Sequence, residues 1–130
     1  MVIDDPATLA EVEAAFAAYE AALVGNDVAA LDAFFWRDAR AIRYGGGENL
    51  YGHAAIAAFR AARPAAGLAR TLERTVVTTF GTDFATASTL FTRDSAPDRV
   101  GRQMQSWARF PEGWRIVAAH VSLIPADGPG

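Results

Sequence analysis

The chain reads as a single α+β domain in which N-terminal helices pack in the concavity of a long, curved, mainly antiparallel β-sheet. Three observations predict it. Helical periodicity is confined to the first half of the chain. Four long stretches rich in Thr, Val, Phe and Trp fill the second half, and the connections between them are short.

Over 5–23 the apolar residues Leu9, Val12, Phe16, Tyr19 and Leu23 fall three or four apart, the stripe of an amphipathic helix. Asp4 or Asp5 can cap it, Pro6 is tolerated in the first turn, and Gly25-Asn26-Asp27 ends it. Asp27 can cap a second, short helix through Leu31, Phe34 and Phe35, and the alanine content of both segments favours helix. Residues 39–44 alternate as a strand up to the turn Gly45-Gly46-Gly47, and a brief strand over 48–51 stops at Gly52. The pattern over 53–60 is helical again, with Ile56 and Phe59 as its buried pair, until Pro64 intervenes. Strands over 68–80, 84–93, 100–110 and 114–123 follow, joined by Gly81-Thr82-Asp83, a polar loop over 94–98 and Pro111-Glu112-Gly113. Short joints between long strands make antiparallel neighbours, and strands of this length twist and bend, which leaves a concave side for the helices. One domain is expected over 1–124, with residues 125–130 as a disordered tail.

Composition narrows the function classes. At 130 residues, 52% apolar and 11% aromatic, the chain can bury one core without a staple. The absence of cysteine excludes a thiolate nucleophile, a disulfide framework and a Cys-ligated metal. A formal charge of -3 and a pI near 5.3 argue against a nucleic-acid partner. No apolar run is long enough to cross a bilayer, and the N-terminal residues lack a secretory pattern, so the expected location is the cytoplasm. There is no lysine, no glycine-rich phosphate loop, no Gly-x-Ser-x-Gly elbow and no dinucleotide fingerprint. His53 and His120 form no compact ligand set, so neither metal nor cofactor is expected.

Arginine is the informative residue. Arg43, Arg60, Arg63, Arg70, Arg74, Arg102, Arg109 and Arg115 lie within segments otherwise patterned for burial. An inward guanidinium must face a carboxylate of the protein or of a ligand, whereas those at strand ends or on the outer face are simply solvated. Arg43 stands out because it closes a strand facing the glycine turn, where a pocket mouth is expected. Tyr19 is either a core tyrosine or one whose hydroxyl enters a cavity, where a nearby arginine would stabilise charge on its oxygen. His120 and Ser122 share one face of the last strand and fit either pocket lining or a subunit contact. Gln103, Gln105, Trp107 and Trp114 suggest an outer sheet face that a dimer would bury.

The helical hairpin, short helix and final four strands resemble the nuclear-transport-factor-2-like (NTF2-like, or SnoaL-like) cone. More closely, Phe34-Phe35-Trp36, the run 43–52 with its three glycines, Phe59 to Pro64, Gly101 to Trp107 and Gly113 to Ser122 resemble the AtzH-like family, which includes HpxZ-type proteins named for oxalurate catabolism. The resemblance runs from Leu9 to Leu123. It implies a cofactor-independent decarboxylase that converts 1,3-dicarboxyurea to allophanate in cyanuric acid breakdown, alongside an amidase. Tyr19 and Arg43 match the family's proposed essential pair, and Arg60, Arg63, Arg70, Arg102, His120 and Ser122 are the further candidates for binding a small dicarboxylate. The competing expectations are a dimeric, non-enzymatic accessory partner of an amidase, and an isomerase or hydrolase of another small acid with Asp38 or Glu48 facing Tyr19.

Overall fold

The first helix, α1 (Pro6–Val24), starts where Asp5 accepts hydrogen bonds from the Thr8 backbone N–H at 3.1 Å and the Thr8 hydroxyl at 2.7 Å, with Pro6 in the first turn. Asn26 takes a left-handed φ of 52° and Asp27 caps α2 (Val28–Phe34) through the Ala30 N–H at 3.1 Å, which folds the two helices into a hairpin. The chain then forms β1 (Ile42–Tyr44), β2 (Asn49–Tyr51), α3 (His53–Ala62), β3 (Thr71–Phe80), β4 (Phe84–Arg93), β5 (Ala96–Phe110) and β6 (Gly113–Pro125). The computed structural model describes residues 1–126.

The six strands form one sheet in the order β2-β1-β6-β5-β4-β3. All neighbours are antiparallel except β1 and β6, which run parallel with Arg43 opposite Ala119. Register shifts between Glu73 and Val76, between Phe91 and Arg93 and between Ser106 and Trp107 insert bulges, and these bend the long strands into the curve that α1 fills. Arg74, with φ of 52°, sits in the first of these bulges. The buried core joins Val12, Phe16 and Tyr19 of α1 to Leu31, Phe35, Ile56, Trp107 and Ile116. Among the described residues no helix is long and apolar enough to cross a membrane.

The departures from the sequence reading have local causes. β1 begins at Ile42 rather than near residue 39 because Asp38 captures the Arg40 backbone N–H at 2.8 Å and the Ala41 N–H bonds its carbonyl, a turn that competes with the ladder. The loop expected over 94–98 shrinks to a tight connection, with Ala96 already opposite Arg93. Pro97 falls in the irregular stretch before the Phe91–Gly101 pair, where no ladder bond is required of it. Gln103, Gln105 and Trp107 face inward rather than outward, and Trp107 donates its indole N–H to Gln105 Oε1 at 3.0 Å. Trp114 is also buried and donates to Glu11 of α1 at 3.0 Å. Of the expected tail, Pro125 pairs with Arg99 and the Ala126 N–H bonds the Asp98 carbonyl, while residues 127–130 lie outside the described residues.

Candidate anion-binding site

Five arginines come together from four stretches of the chain. Arg43 comes from β1 and Arg60 from the last turn of α3. Arg63 follows α3 in an extended conformation, φ -72° and ψ 136°, because the residue before Pro64 is driven out of the helical region. Arg70 immediately precedes β3, and Arg93 ends β4.

Tyr19 is 3% exposed and packs edge-on against Phe34, Phe35 and Trp107. Its hydroxyl accepts a hydrogen bond from Arg60 Nη2. Arginine has no acceptor, so the phenolic proton is not used in that bond. Arg60 is 1% exposed, and its Nε and Nη1 are buried with no hydrogen-bond partner among the described residues. Its guanidinium carbon lies 5.7 Å from the Tyr19 ring centroid and 5.8 Å from that of Phe35.

Arg43 is 7% exposed and donates from Nη1 to Glu48 Oε1 at 2.9 Å, with its guanidinium 5.1 Å from the Phe59 ring centroid. Burial first, and the charge of Arg60 second, hold the Arg43 guanidinium below its ordinary pKa, against opposing contributions from Tyr19 and Glu48. Glycine is needed at position 45 for this pair: a Cβ there would stand 1.8 Å from Glu48 Oε1 and 3.1 Å from Arg43 Nη1.

Beside this group lies a cavity of about 180 Å³, whose lining includes Arg43, Phe59, Arg63, Phe91, Arg93 and Ser122. Tyr19 and Arg60 do not line it, yet both are close enough to influence Arg43 and Arg63. Arg63 reaches only Asn26 Oδ1, at 3.5 Å, and its Nε is buried without a partner among the described residues. Burial, and then the neighbouring charge of Arg60, push it down to about 10. Arg93 was not among the expected site residues. It stacks 4.9 Å from the Phe91 ring centroid, and its buried Nε likewise lacks a partner among the described residues. Arg70 differs: it grips Glu20 with two bonds at 2.8 and 2.6 Å and Gln103 at 3.0 Å, so its charge is already met.

The other expected residues stand elsewhere. Arg102 and His120 are exposed on the outer face of the sheet, on either side of Met104. Ser122 borders the cavity, but its Oγ accepts from Arg102 Nε at 3.2 Å on that outer face. Asp38 is committed to Arg40 and Glu48 to Arg43, and neither is bonded to Tyr19. Among the described residues no group of His, Cys, Asp or Glu could hold a metal ion. The site therefore holds five guanidinium groups against the two carboxylates of Glu20 and Glu48, an excess of three positive charges. Such an excess of crowded positive charge is costly without an anion to meet it.

A family model described as AtzH-like matches residues 1–127. The chain belongs to the AtzH-like family. It is 60% identical to a protein of unknown function from Pectobacterium atrosepticum, over 94% of each chain and with a TM-score of 0.92. A cystatin-like-fold protein from Burkholderia xenovorans is 53% identical over 96% of this chain and 98% of its own, also with a TM-score of 0.92. An NTF2-like protein from Cytophaga hutchinsonii shares the fold alone, with 17% identity, a TM-score of 0.71, and coverage of 87% of this chain and 95% of its own. No curated protein matches the chain. In this AtzH-like domain the buried basic and aromatic residues around Tyr19 are consistent with catalysis on the NTF2-like fold.

Proposed function

We propose that the protein is a cytoplasmic, cofactor-independent decarboxylase of a small N-carboxylated urea, converting 1,3-dicarboxyurea to allophanate. One observation carries the reading: a phenol whose proton is uncommitted sits among buried cations that lack a counter-charge. The cavity of about 180 Å³ supports it, being well below the roughly 300 to 1,000 Å³ of sites for drug-sized ligands.

In the reaction the bond between carbon and nitrogen breaks at one N-carboxylate, and its electron pair stays on nitrogen, delocalised onto the urea oxygen. Tyr19 gives its proton to that nitrogen as carbon dioxide leaves. Arg60, bonded to the phenolic oxygen, holds the resulting phenolate until solvent returns the proton. In balance, the dianion and one proton give allophanate and carbon dioxide. Arg43 acts best on the urea oxygen or the retained carboxylate, because an equal grip on the departing carboxylate would aid binding and slow its loss. To present its full fork to substrate, Arg43 must release Glu48, and the substrate must reach the Tyr19 hydroxyl, which does not line the cavity.

The test is carbon dioxide release from freshly generated 1,3-dicarboxyurea, with allophanate followed directly. Arg43→Ala and Tyr19→Phe are each expected to lower turnover by about a hundredfold or more, the scale of one oxyanion donor or one general acid. Undiminished turnover in either variant would exclude that residue's role, and no release by the wild type would exclude the reaction. A non-enzymatic partner of an amidase is the reading that the last result would favour. An acid-base pair for an isomerase or hydrolase lacks support, since among the described residues no carboxylate is bonded to Tyr19.

A further inference from the structure

Arg70 and Arg93 lie against the same ring, with their guanidinium carbons 4.4 and 4.9 Å from the Phe91 centroid. Phe91 can occupy that place because residue 101 is glycine, where a Cβ would stand 2.0 Å from the ring. Arg70 has a protein carboxylate and Arg93 has none. Arg93 lines the cavity together with Arg63, which also lacks a carboxylate, while Arg43 at the same cavity is answered by Glu48. We infer that Arg63 and Arg93 form a second anion subsite that clamps the retained carboxylate of the substrate, so that the protein selects small dianions over monoanions.

Three independent features support the clamp. The Nε of each guanidinium is buried without a partner among the described residues, a costly state that a carboxylate relieves with charge-assisted bonds. Both groups are held below their ordinary pKa by burial first and then by neighbouring arginines, Arg60 for Arg63 and Arg70 for Arg93, the sign of cations crowded without enough counter-charge. Two aromatic rings, Phe59 and Phe91, belong to the lining and carry the guanidinium groups of Arg43 and Arg93 over their faces, which orients those cations. With the retained carboxylate held there, Arg43 is left for the urea oxygen, and the departing carboxylate is directed toward the aromatic side near Tyr19. This division rests on the decarboxylase reading; dianion selectivity itself does not.

The experiment measures binding without turnover. Glutarate, a stable dicarboxylate with the same number of chain atoms as dicarboxyurea, is titrated calorimetrically into the intact protein at neutral pH and low salt, and butyrate serves as the matched monoanion. The wild type is expected to prefer glutarate by about 10- to 100-fold, the worth of one charge-assisted contact. Arg93→Gln and Arg63→Gln should each reduce that preference about tenfold or more, and Arg93→Lys should restore part of it. Equal affinity of the wild type for both acids overturns the inference without any variant, as does a preference unchanged in both Gln variants. If glutarate preference stands but dicarboxyurea releases no carbon dioxide, the reaction is refuted and the clamp survives. If release needs Arg43 yet both Gln variants keep wild-type preference and KM, the clamp alone is refuted.

Discussion

Replacing Arg60 with methionine should make the unliganded protein more stable and leave the Tyr19 oxygen without its cation. Arg60 is 1% exposed, with two guanidinium nitrogens, Nε and Nη1, buried and unpartnered among the described residues. Each such group costs about 1–3 kcal/mol, and methionine removes both. The substitution leaves the Tyr19 hydroxyl without its donor, a loss of about the same size as one of them. The contacts of the guanidinium with Tyr19 and Phe35 are replaced by thioether contacts with the same rings. The net gain is about 1–3 kcal/mol, before adding relief of the repulsion that Arg60 exerts on Arg43 and Arg63. For a domain of this size that corresponds to a Tm higher by about 3–15 °C. Thermal and urea unfolding in low-salt buffer free of carboxylic acids measure it. Glutarate should raise the Tm of the wild type and, since Arg60 does not line the cavity, that of Arg60→Met as well, because ligand that binds only the folded state stabilises it by mass action. A variant less stable than wild type would show that Arg60 is a satisfied structural residue, and loss of the glutarate shift in the variant would show that Arg60 itself holds the ligand.

Two further outcomes follow from the same accounting. Glu48→Gln removes the carboxylate that answers Arg43 at 2.9 Å and should tighten glutarate by about two- to fivefold, the scale of a partly exposed ion pair; unchanged or weaker binding by calorimetry would mean that Glu48 does not compete with the ligand. On the outer face, Met104 is 60% exposed and Val76 56%, and a homodimer is proposed to cover them. Met104→Glu should therefore sediment as a monomer with glutarate binding intact, whereas a monomeric wild type or a dimeric variant would rule out that face.

The fold was legible because its two periodicities occupy separate halves of the chain. Local turn chemistry then settled most boundaries, as the caps at Asp5 and Asp27 illustrate. The parallel pairing of β1 with β6 was not legible, since a three-residue strand carries no signal of its partner's direction. Tyr19, Arg43, Arg60 and Arg63 stood out in sequence as polar groups in apolar contexts, and they do come together. Arg102 and His120 misled because the two faces of β5 were taken the wrong way round: with Gln103, Gln105 and Trp107 inward rather than outward, parity turns Arg102 and Met104 outward, and His120 lies opposite Met104. The same rule would have found Arg93. Ala85, Ala87, Thr89 and Phe91 alternate as the buried face of β4, and continuing by two residues puts Arg93 on that face rather than in the polar turn beside Asp94.

What sequence periodicity could not supply is the distinction between Arg70 and Arg93, and that distinction separates structure from function. Both lie against Phe91, yet one has Glu20 and Gln103 as partners while the other has a cavity. Selection for stability alone would favour treating them alike, either by neutralising both or by replacing them with apolar side chains of similar volume, a change often neutral or stabilising by about 1–4 kcal/mol. The partner for Arg70 arrives from α1, where Glu20 follows Tyr19, so one turn of helix both neutralises the inner arginine and aims the phenol. Cations at Arg60, Arg63 and Arg93 that no carboxylate among the described residues answers are a standing cost to the folded state, and in the proposed function binding a small dianion is the event that offsets it.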